Sequence, residues 1–186
     1  MVVVDKPPGL LVHRTRRGSN EEALLQRLRD QLAQPVHPIH RLDRDASGLL
    51  AYGLDRRAAR ELQAGLQAPD AVKEYIVLVS GACTSSFDSR APLVDDHGVE
   101  RDAHTEFQRV ERFPGLRLSL LRARLHSGRG NQIRRHLALL RLHVCGDPRY
   151  GKARVNRHLR RRFGLERLFL HATRLEIPLP GGRLVV

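Results

Sequence analysis

An aspartate between two arginines is the strongest chemical signal in this 186-residue sequence. Asp43 lies between Arg41 and Arg44, in an irregular loop predicted after Pro38. A close guanidinium favours the ionised form of a carboxylate, so one arginine can keep Asp43 charged while the other contacts a substrate. Judged by spacing alone, the stretch also fits a surface ion cluster, which contributes little to stability.

A second basic cluster consists of Arg129, Arg134 and Arg135, on and before a helix predicted over residues 131–140. The apolar stripe of this helix places Arg134 at its edge, from where the side chain can enter a cleft. Arg135 is predicted to face solvent or phosphate. The alternative for Arg134 is an arginine whose stem covers apolar surface.

Lys73 and Tyr75 lie in a run rich in β-formers that ends at Val79. Most tyrosines in strands are core residues with a polar tip. The spacing of Tyr75 indicates no other role.

Several classes of chemistry are not indicated. The sequence has no Gly-rich phosphate-binding motif, and its 10 histidines are scattered, with only the bare pair His143 and Cys145 at short spacing. We therefore expect no metal and no cofactor. Cys83 and Cys145 form no disulfide framework, and no apolar run reaches the roughly 18 residues of a membrane span, so a reducing, cytoplasmic setting is expected.

The charge of the chain indicates a polyanionic partner. Lys and Arg number 33 against 20 Asp and Glu, a net charge of +13, and nearly all of the basic residues are arginine. Clustered cations bind phosphates by releasing counterions, although a solvated basic surface would have the same composition. Because only 4% of the residues are aromatic, base stacking along a single strand is disfavoured, and a structured RNA is the expected partner.

The order of predicted elements indicates an α+β fold with a largely antiparallel sheet. A capping box formed by Ser19 and Glu22 predicts the start of the first helix. A phase change after Leu120 predicts a β-bulge in the strand over 116–125. The other predicted elements are strands over 1–4, 49–54, 73–79, 105–110 and 168–177 and helices over 55–67 and 131–140.

The motifs, taken in order, resemble those of the RluA-type RNA pseudouridine synthases. The resemblance spans essentially the whole chain. The stretches that carry it are Lys6-Pro7-Pro8-Gly9-Leu10, His40-Arg41-Leu42-Asp43-Arg44 with Ser47-Gly48-Leu49, Lys73-x-Tyr75, Gly128-Arg129-x-x-Gln132-Ile133-Arg134-x-His136-Leu137, Gly146-Asp147-x-x-Tyr150-Gly151 and Leu170-His171-Ala172. This sequence departs from the family pattern at Gly130 and Asn131, where Thr and His are usual.

The resemblance implies an activity and roles for particular residues. Uridine would be isomerised to pseudouridine, with Asp43 as the catalytic carboxylate that either attacks the sugar C1′ or removes the 2′ proton. Arg134 would pair with Asp43, Tyr75 would stack on the target base, and Arg41 would fill the space left by the flipped uridine. Further RNA contacts are expected from Arg44, Arg129, Arg135 and Lys73. The implied fold is a bent, mainly antiparallel sheet flanked by helices, with a central basic cleft.

A narrower resemblance, over Gly146 to Ala172, is to the tRNA pseudouridine synthase C subgroup, which modifies uridine 65 in certain tRNAs. The stretches that carry it are Tyr150-Gly151-Lys152, Asn156-Arg157, Phe163-Gly164 and Arg167-Leu168. Residues 152–167 contain seven Lys or Arg and one Glu, a net charge of +6 (7 − 1). The resemblance implies that Arg157 and Arg161 contact the tRNA backbone. Without it, the segment would be interpreted as a solvated basic helix.

The sequence leaves the target and the assembly open. A synthase acting on ribosomal RNA or on two RNAs, and a non-catalytic RNA-binding derivative, are the alternatives. We expect a monomer with one catalytic domain over 1–186 and no accessory domain such as S4. Because the chain starts at Met1 and ends at Val186 without the flanking segments of most relatives, shortened ends and an exposed sheet edge are expected.

Overall fold

The computed structural model describes residues 1–14 and 22–186. They form two compact units, one made of Met1–Val72 with Ala172–Val186 and the other of Lys73–His171. The helices are α1 Leu24–Leu32, α2 Arg56–Leu66, α3 Gln132–Leu139 and α4 Ala153–Phe163. The strands are β1 Val2–Lys6, β2 His37–Pro38, β3 Ser47–Gly53, β4 Val72–Ser80, β5 Ser86–Ser89, β6 Leu93–Val94, β7 Glu100–Arg101, β8 Thr105–Phe113, β9 Leu118–Leu125, β10 His143–Val144, β11 Leu170–Leu179 and β12 Gly182–Val185.

The first unit is built on strand β3. Strands β1 and β2 pair with it antiparallel, and β11, which lies next to β3, pairs with β12. The apolar face of α2 packs on this sheet. Its core consists of Ile39, Ala51, Ala59, Leu62, Leu66, Leu175 and Ile177.

The second unit contains the antiparallel strands β4, β9, β8 and β5 in that order, and β10 pairs with Val79 and Ser80 at the end of β4. In β4, Tyr75, Val77 and Val79 are buried while the residues between them are half-buried. This period of two is the pattern of a strand with one face in the core.

Together, the two units have the predicted fold class, a mixture of helices with a mostly antiparallel sheet.

The predicted start of α2 is confirmed. Asp55 occupies the N-cap in an extended conformation, and its Oδ1 accepts a hydrogen bond from the backbone N–H of Ala58 at 2.8 Å. Such a cap satisfies one of the N–H groups that a helix leaves unpaired at its first turn.

The predicted start of α1 is wrong. Ser19 lies outside the described residues, the helix begins at Leu24, and Ala23 at the N-cap provides no side-chain hydrogen bond. Instead, the N–H groups of Leu24 and Leu25 donate to the backbone carbonyls of Leu11 and Val12 at 2.8 and 3.0 Å. An earlier stretch of backbone thus replaces the capping side chain.

The predicted bulge is in the wrong strand. The register shift lies between Arg109 and Glu111 of β8, opposite Leu120 and Leu121 of β9. The extra residue, Val110, is half exposed, so its insertion in β8 costs little packing. The phase change in the β9 sequence marks the place of the irregularity but not the strand that carries it.

Among the described residues, no helix combines the length and the apolar character needed to cross a lipid bilayer.

Candidate active site

Asp43 lies in the loop between β2 and β3, in the first unit. Leu42 is buried and anchors the loop, Asp43 is half-buried, and Arg41 and Arg44 are exposed. The backbone turns immediately after the carboxylate, where the N–H of Ala46 donates to the carbonyl of Asp43 at 3.2 Å. The loop therefore holds a partly accessible carboxylate between two solvent-exposed guanidinium groups.

A fully buried lysine fastens this loop to the turn after β1. The Nζ of Lys6 donates to the carbonyls of Pro7, Leu10 and Arg44 at 2.8, 2.9 and 2.9 Å. Gly9 N–H also donates to the Arg44 carbonyl at 2.9 Å, and Arg44 Nε donates back to the Gly9 carbonyl at 3.1 Å. The Lys-Pro-Pro-Gly turn is thus a support for the Asp43 loop.

The charge of Lys6 is balanced by the carboxylates of the same loop. Burial lowers the pKa of Lys6 to about 8, and the negative charges of Asp45 and Asp43 oppose this shift. In the sequence Lys6 is recognised only as part of a motif, and no role is predicted for it. Its burial could not be read from the sequence, because lysine is rarely buried without partners.

The start of β3 requires a glycine. Gly48 has φ +108°, and a Cβ at this position would lie 2.2 Å from the carbonyl oxygen of Ala172 in β11. This close backbone approach fixes where the Asp43 loop enters the sheet.

Arg134 is buried in the second unit and forms a two-point ion pair with Asp147. Its Nε donates to Asp147 Oδ2 at 2.7 Å and its Nη2 to Oδ1 at 2.8 Å. Its Nη1 donates to the Oδ1 of Asn131. Such a forked pairing fixes the plane of the guanidinium group.

Asp147 is held ionised by this environment. Burial raises its pKa, but hydrogen bonds from Arg134 and from the backbone N–H groups of Tyr150 and Arg149 lower it below the usual value overall. The two backbone bonds measure 2.9 and 2.8 Å. The guanidinium carbon of Arg134 also lies 5.2 Å from the centre of the Tyr150 ring, a cation–π distance.

Helix α3, which carries Arg134, is anchored by two buried polar residues. Gln132 Nε2 donates to the His104 carbonyl and to Thr105 Oγ1, both at 2.9 Å. His136 contacts Thr105 Oγ1 at 2.9 Å and the carbonyl of Ala91 at 3.0 Å through its two ring nitrogens. These bonds set the rotation of the helix and therefore the direction of Arg134.

Arg135 and Arg129, both predicted to contact RNA, each donate a hydrogen bond to a backbone carbonyl of the second unit. Arg135 is half-buried and donates to the carbonyl of Val94 at 2.9 Å, rather than pointing only to solvent. Arg129 is exposed and donates to the carbonyl of Asp102 at 2.9 Å. Both side chains fasten loops of the second unit.

Tyr75 and Lys73 are in β4 as predicted. Tyr75 is 8% exposed, and Lys73 is half-buried. Burial lowers the pKa of Lys73. The tyrosine is directly paired in register with Ala123 of β9, so a small residue stands beside the ring.

The predicted basic helix is α4, whose only buried residue is Leu159. An open groove of about 310 Å³ runs along it. We call its lining the basic face of α4; it consists of Arg154, Arg157, His158, Arg161 and Arg162. The i, i+3, i+4 and i+7 spacings place these residues on one side of the helix.

Helix α4 also supports the Arg134–Asp147 pair. Asn156 Oδ1 accepts from Gly146 N–H at 2.9 Å, and its Nδ2 donates to the carbonyl of Asp147 at 2.8 Å. Gly146 has φ +75°, and a Cβ there would lie 1.9 Å from the carbonyl oxygen of Arg167. Sequence reasoning noted Asp147 and Asn156 in motifs but missed that they position Arg134.

The predicted site residues are divided between the two units. Asp43 lies with Arg41 and Arg44 in the first unit, whereas the other seven predicted residues lie in the second. Those seven are Lys73, Tyr75, Arg129, Arg134, Arg135, Arg157 and Arg161.

Comparison with known proteins identifies the family. Residues 1–139 match the family model described as RNA pseudouridylate synthase. The chain belongs to the RNA pseudouridylate synthase family. It is therefore an isomerase, an RNA pseudouridine synthase.

Two curated relatives bear the same name. The chain is 34% identical to tRNA pseudouridine synthase C of Pasteurella multocida over 196 residues, covering 94% of this chain and 81% of that protein. It is also 34% identical to tRNA pseudouridine synthase C of Salmonella typhi over 209 residues, covering 100% of this chain and 80% of that protein.

Solved structures show the same fold. Human RNA Pseudouridylate Synthase Domain Containing 1 superimposes with a TM-score of 0.80 at 23% identity, covering 99% of this chain and 77% of that one. Human RNA Pseudouridylate Synthase Domain Containing 4 has a TM-score of 0.77 at 24% identity, covering 98% and 82%.

Proposed function

We propose that this synthase modifies a uridine of tRNA. Two observations support this target. Relatives at 34% identity over nearly the whole chain are named tRNA pseudouridine synthase C. The basic face of α4 lies in the segment that resembles this subgroup, and its five side chains face an open groove suited to a phosphate backbone. By the same resemblance, uridine 65 is the proposed position.

In this proposal Asp43 is the catalytic carboxylate. The reaction breaks the N1–C1′ bond, rotates the base and joins C5 to the sugar C1′. C5 then loses its proton and N1 takes one up, so the product is an isomer and no redox partner is needed. Asp43 acts on the sugar either as nucleophile at C1′ or as base at the 2′ position. Its position in a supported loop, half-buried and between two exposed arginines, favours such a role.

Arg134 and Tyr75 complete the proposed catalytic set. The proposal requires both to act on the same nucleotide as Asp43, with Arg134 pairing with the carboxylate and Tyr75 stacking on the base. The ion pair with Asp147 supports this role of Arg134 because it fixes the guanidinium before RNA binds. A group that is already oriented needs no reorganisation during the reaction.

The RNA must present its target uridine out of the stack. Arg41, exposed at the rim of the Asp43 loop, is proposed to occupy the space that the flipped base leaves. Arg44, Lys73, Arg129, Arg135, Arg157 and Arg161 are proposed to contact the RNA around it.

The setting of the enzyme is part of the same proposal. We propose that the two units form a single catalytic domain that works as a monomer in the cytoplasm without a metal or cofactor in the reaction. The free thiols of Cys83 and Cys145 fit a reducing compartment.

The experiment that tests the target is pseudouridine mapping at single-nucleotide resolution. Purified enzyme is incubated with unmodified tRNA and, separately, with unmodified ribosomal RNA. The proposal predicts a new pseudouridine at uridine 65 of a subset of tRNAs and none in ribosomal RNA. Modification of ribosomal RNA alone would establish the rival target, and binding of RNA with no pseudouridine in either pool would establish a non-catalytic binder.

A further inference from the structure

Three side chains of metal-binding type meet at one end of strands β8 and β9. His104, Glu106 and His126 each provide one ligand atom, and these atoms lie within 4.8 Å of one another. The backbone N–H of His126 donates to the carbonyl of His104 at 3.1 Å, so the two strands remain side by side beyond their last paired residues. Residues 104 and 106 share a face because side chains alternate along a strand.

The two imidazole rings of this cluster are stacked. The ring centres of His104 and His126 lie 4.4 Å apart with planes 15° from parallel. His126 Nε2 is 3.1 Å from Glu106 Oε2. The lone pair of a neutral imidazole lies in the plane of its ring, so binding one ion requires these nearly parallel rings to turn towards it about their side-chain bonds.

A second carboxylate adjoins the cluster. Asp88 of β5 is the register partner of Glu106 of β8, and its charge is compensated by Arg90, whose Nε donates to Asp88 Oδ2 at 3.1 Å. Asp88 Oδ2 is also 3.2 Å from His104 Nε2. A metal-binding histidine commonly hydrogen-bonds a carboxylate through its other ring nitrogen, and Asp88 is placed for that outer role.

The ligand types select the class of ion. Two imidazoles and one carboxylate are the protein ligands of many zinc sites that keep a water in the fourth position, and imidazole favours zinc and related transition metals over magnesium or calcium. We propose that His104, Glu106 and His126 bind a divalent transition-metal ion of the zinc class, with Asp88 hydrogen-bonded to His104.

The site would act on the loop that leads into α3. Ser127, next to His126, accepts from His104 N–H at 2.9 Å and donates to Gln132 Oε1 at 2.8 Å. Gln132 lies two residues before Arg134. A bound ion would therefore stabilise the start of the helix that carries Arg134, and the isomerisation itself would proceed without it.

No metal is expected from the sequence because the histidines are scattered and only the bare pair His143 and Cys145 has short spacing. His104 and His126 are 22 positions apart (126 − 104). They meet through the pairing of β8 with β9, which spacing alone does not reveal.

The test is metal binding by the untagged, chelator-treated full chain. Calorimetric titration with zinc and the visible absorption of bound cobalt are expected to show one ion per chain. His126→Ala and the double variant His104→Ala/His126→Ala are expected to weaken binding by more than about tenfold. His97→Ala, an exposed histidine elsewhere in the second unit, is the matched control and should bind like the wild type.

Two further variants distinguish loss of the metal ligands from misfolding of the chain. His126→Cys keeps a zinc ligand and should retain binding, and Asp88→Asn should weaken it by about tenfold through the outer contact. The proposal is overturned if the wild type binds no ion at about millimolar zinc, a concentration far above that at which zinc sites saturate. It is equally overturned if the His104 and His126 variants bind as tightly as the His97 control.

Discussion

The Arg134–Asp147 pair and the basic face of α4 use the same residue type in opposite ways. The side chain of Arg134 is 6% exposed and its partner fully buried, whereas Arg157 and Arg161 lie on the solvent side of a helix with one buried residue. A buried arginine with a two-point carboxylate partner is fixed in direction, and an exposed row of arginines binds phosphates over a range of geometries. The sequence does not distinguish these arginines, whereas the structure shows that Arg134 is buried and paired and that Arg157 and Arg161 are exposed.

The largest expected effect follows from breaking the buried pair. Arg134→Ala leaves the carboxylate of Asp147 buried without its partner, which typically costs about 3–5 kcal/mol. Arg135→Ala on the same helix removes one hydrogen bond to the Val94 carbonyl and should cost about 1 kcal/mol. Urea unfolding followed by circular dichroism measures both. Equal losses in the free energy of unfolding for Arg134→Ala and Arg135→Ala would show that the buried ion pair stabilises the protein no more than a single hydrogen bond does.

Acid should weaken the buried pair selectively. The folded protein lowers the pKa of Asp147 below its usual 3.8, so the unfolded chain binds more protons as the pH falls. The contribution of this group to stability is therefore fully present above the unfolded pKa and is lost as the pH falls through the folded one. Between about pH 6 and pH 3, the free energy of unfolding of Asp147→Asn should decline less steeply than that of the wild type. A slope identical to wild type would show that Asp147 is not held ionised by Arg134.

Substitutions on the basic face of α4 are expected to have the smallest effect on stability and to change tRNA binding instead. The double variant Arg157→Ala/Arg161→Ala should keep the wild-type unfolding curve but bind tRNA more weakly. The slope of log affinity against log salt should become shallower by about 1 for each phosphate contact removed. Arg56→Ala/Arg60→Ala on exposed positions of α2 is the matched control. If the control lowers affinity and salt dependence as much, net charge and not the face of α4 determines binding.

Elements with a local signal were predictable from the sequence. Strand β4 follows from its alternating β-formers, and α2 follows from the Asp55 cap and its apolar stripe. The start of α1 was not predictable because the groups that satisfy its first N–H donors are the carbonyls of Leu11 and Val12. The bulge was assigned to β9 because its leucines change phase, whereas the extra residue is Val110 in β8.

The residues of the candidate site were likewise predictable from the sequence only in part. Asp43, Tyr75 and Arg134 were recognised from ordered motifs, since their types and surroundings recur in one family. The partners that orient Arg134 were not, because Asp147 and Asn156 act through contacts with a turn whose geometry depends on Gly146. Lys6 is a further case, since only the folded loop shows that its ammonium binds three carbonyls.

The proposed role of Asp43 is tested by the activity of Asp43→Asn on the tRNA modified by the wild type. Pseudouridine formation and tRNA affinity are measured on the same preparations, with Asp30→Asn on the exposed surface of α1 as the matched control. We expect Asp43→Asn to form no detectable pseudouridine while binding tRNA with near wild-type affinity, and the control to be fully active. Pseudouridine formation by Asp43→Asn at the wild-type rate would contradict the assignment of Asp43 as the catalytic carboxylate.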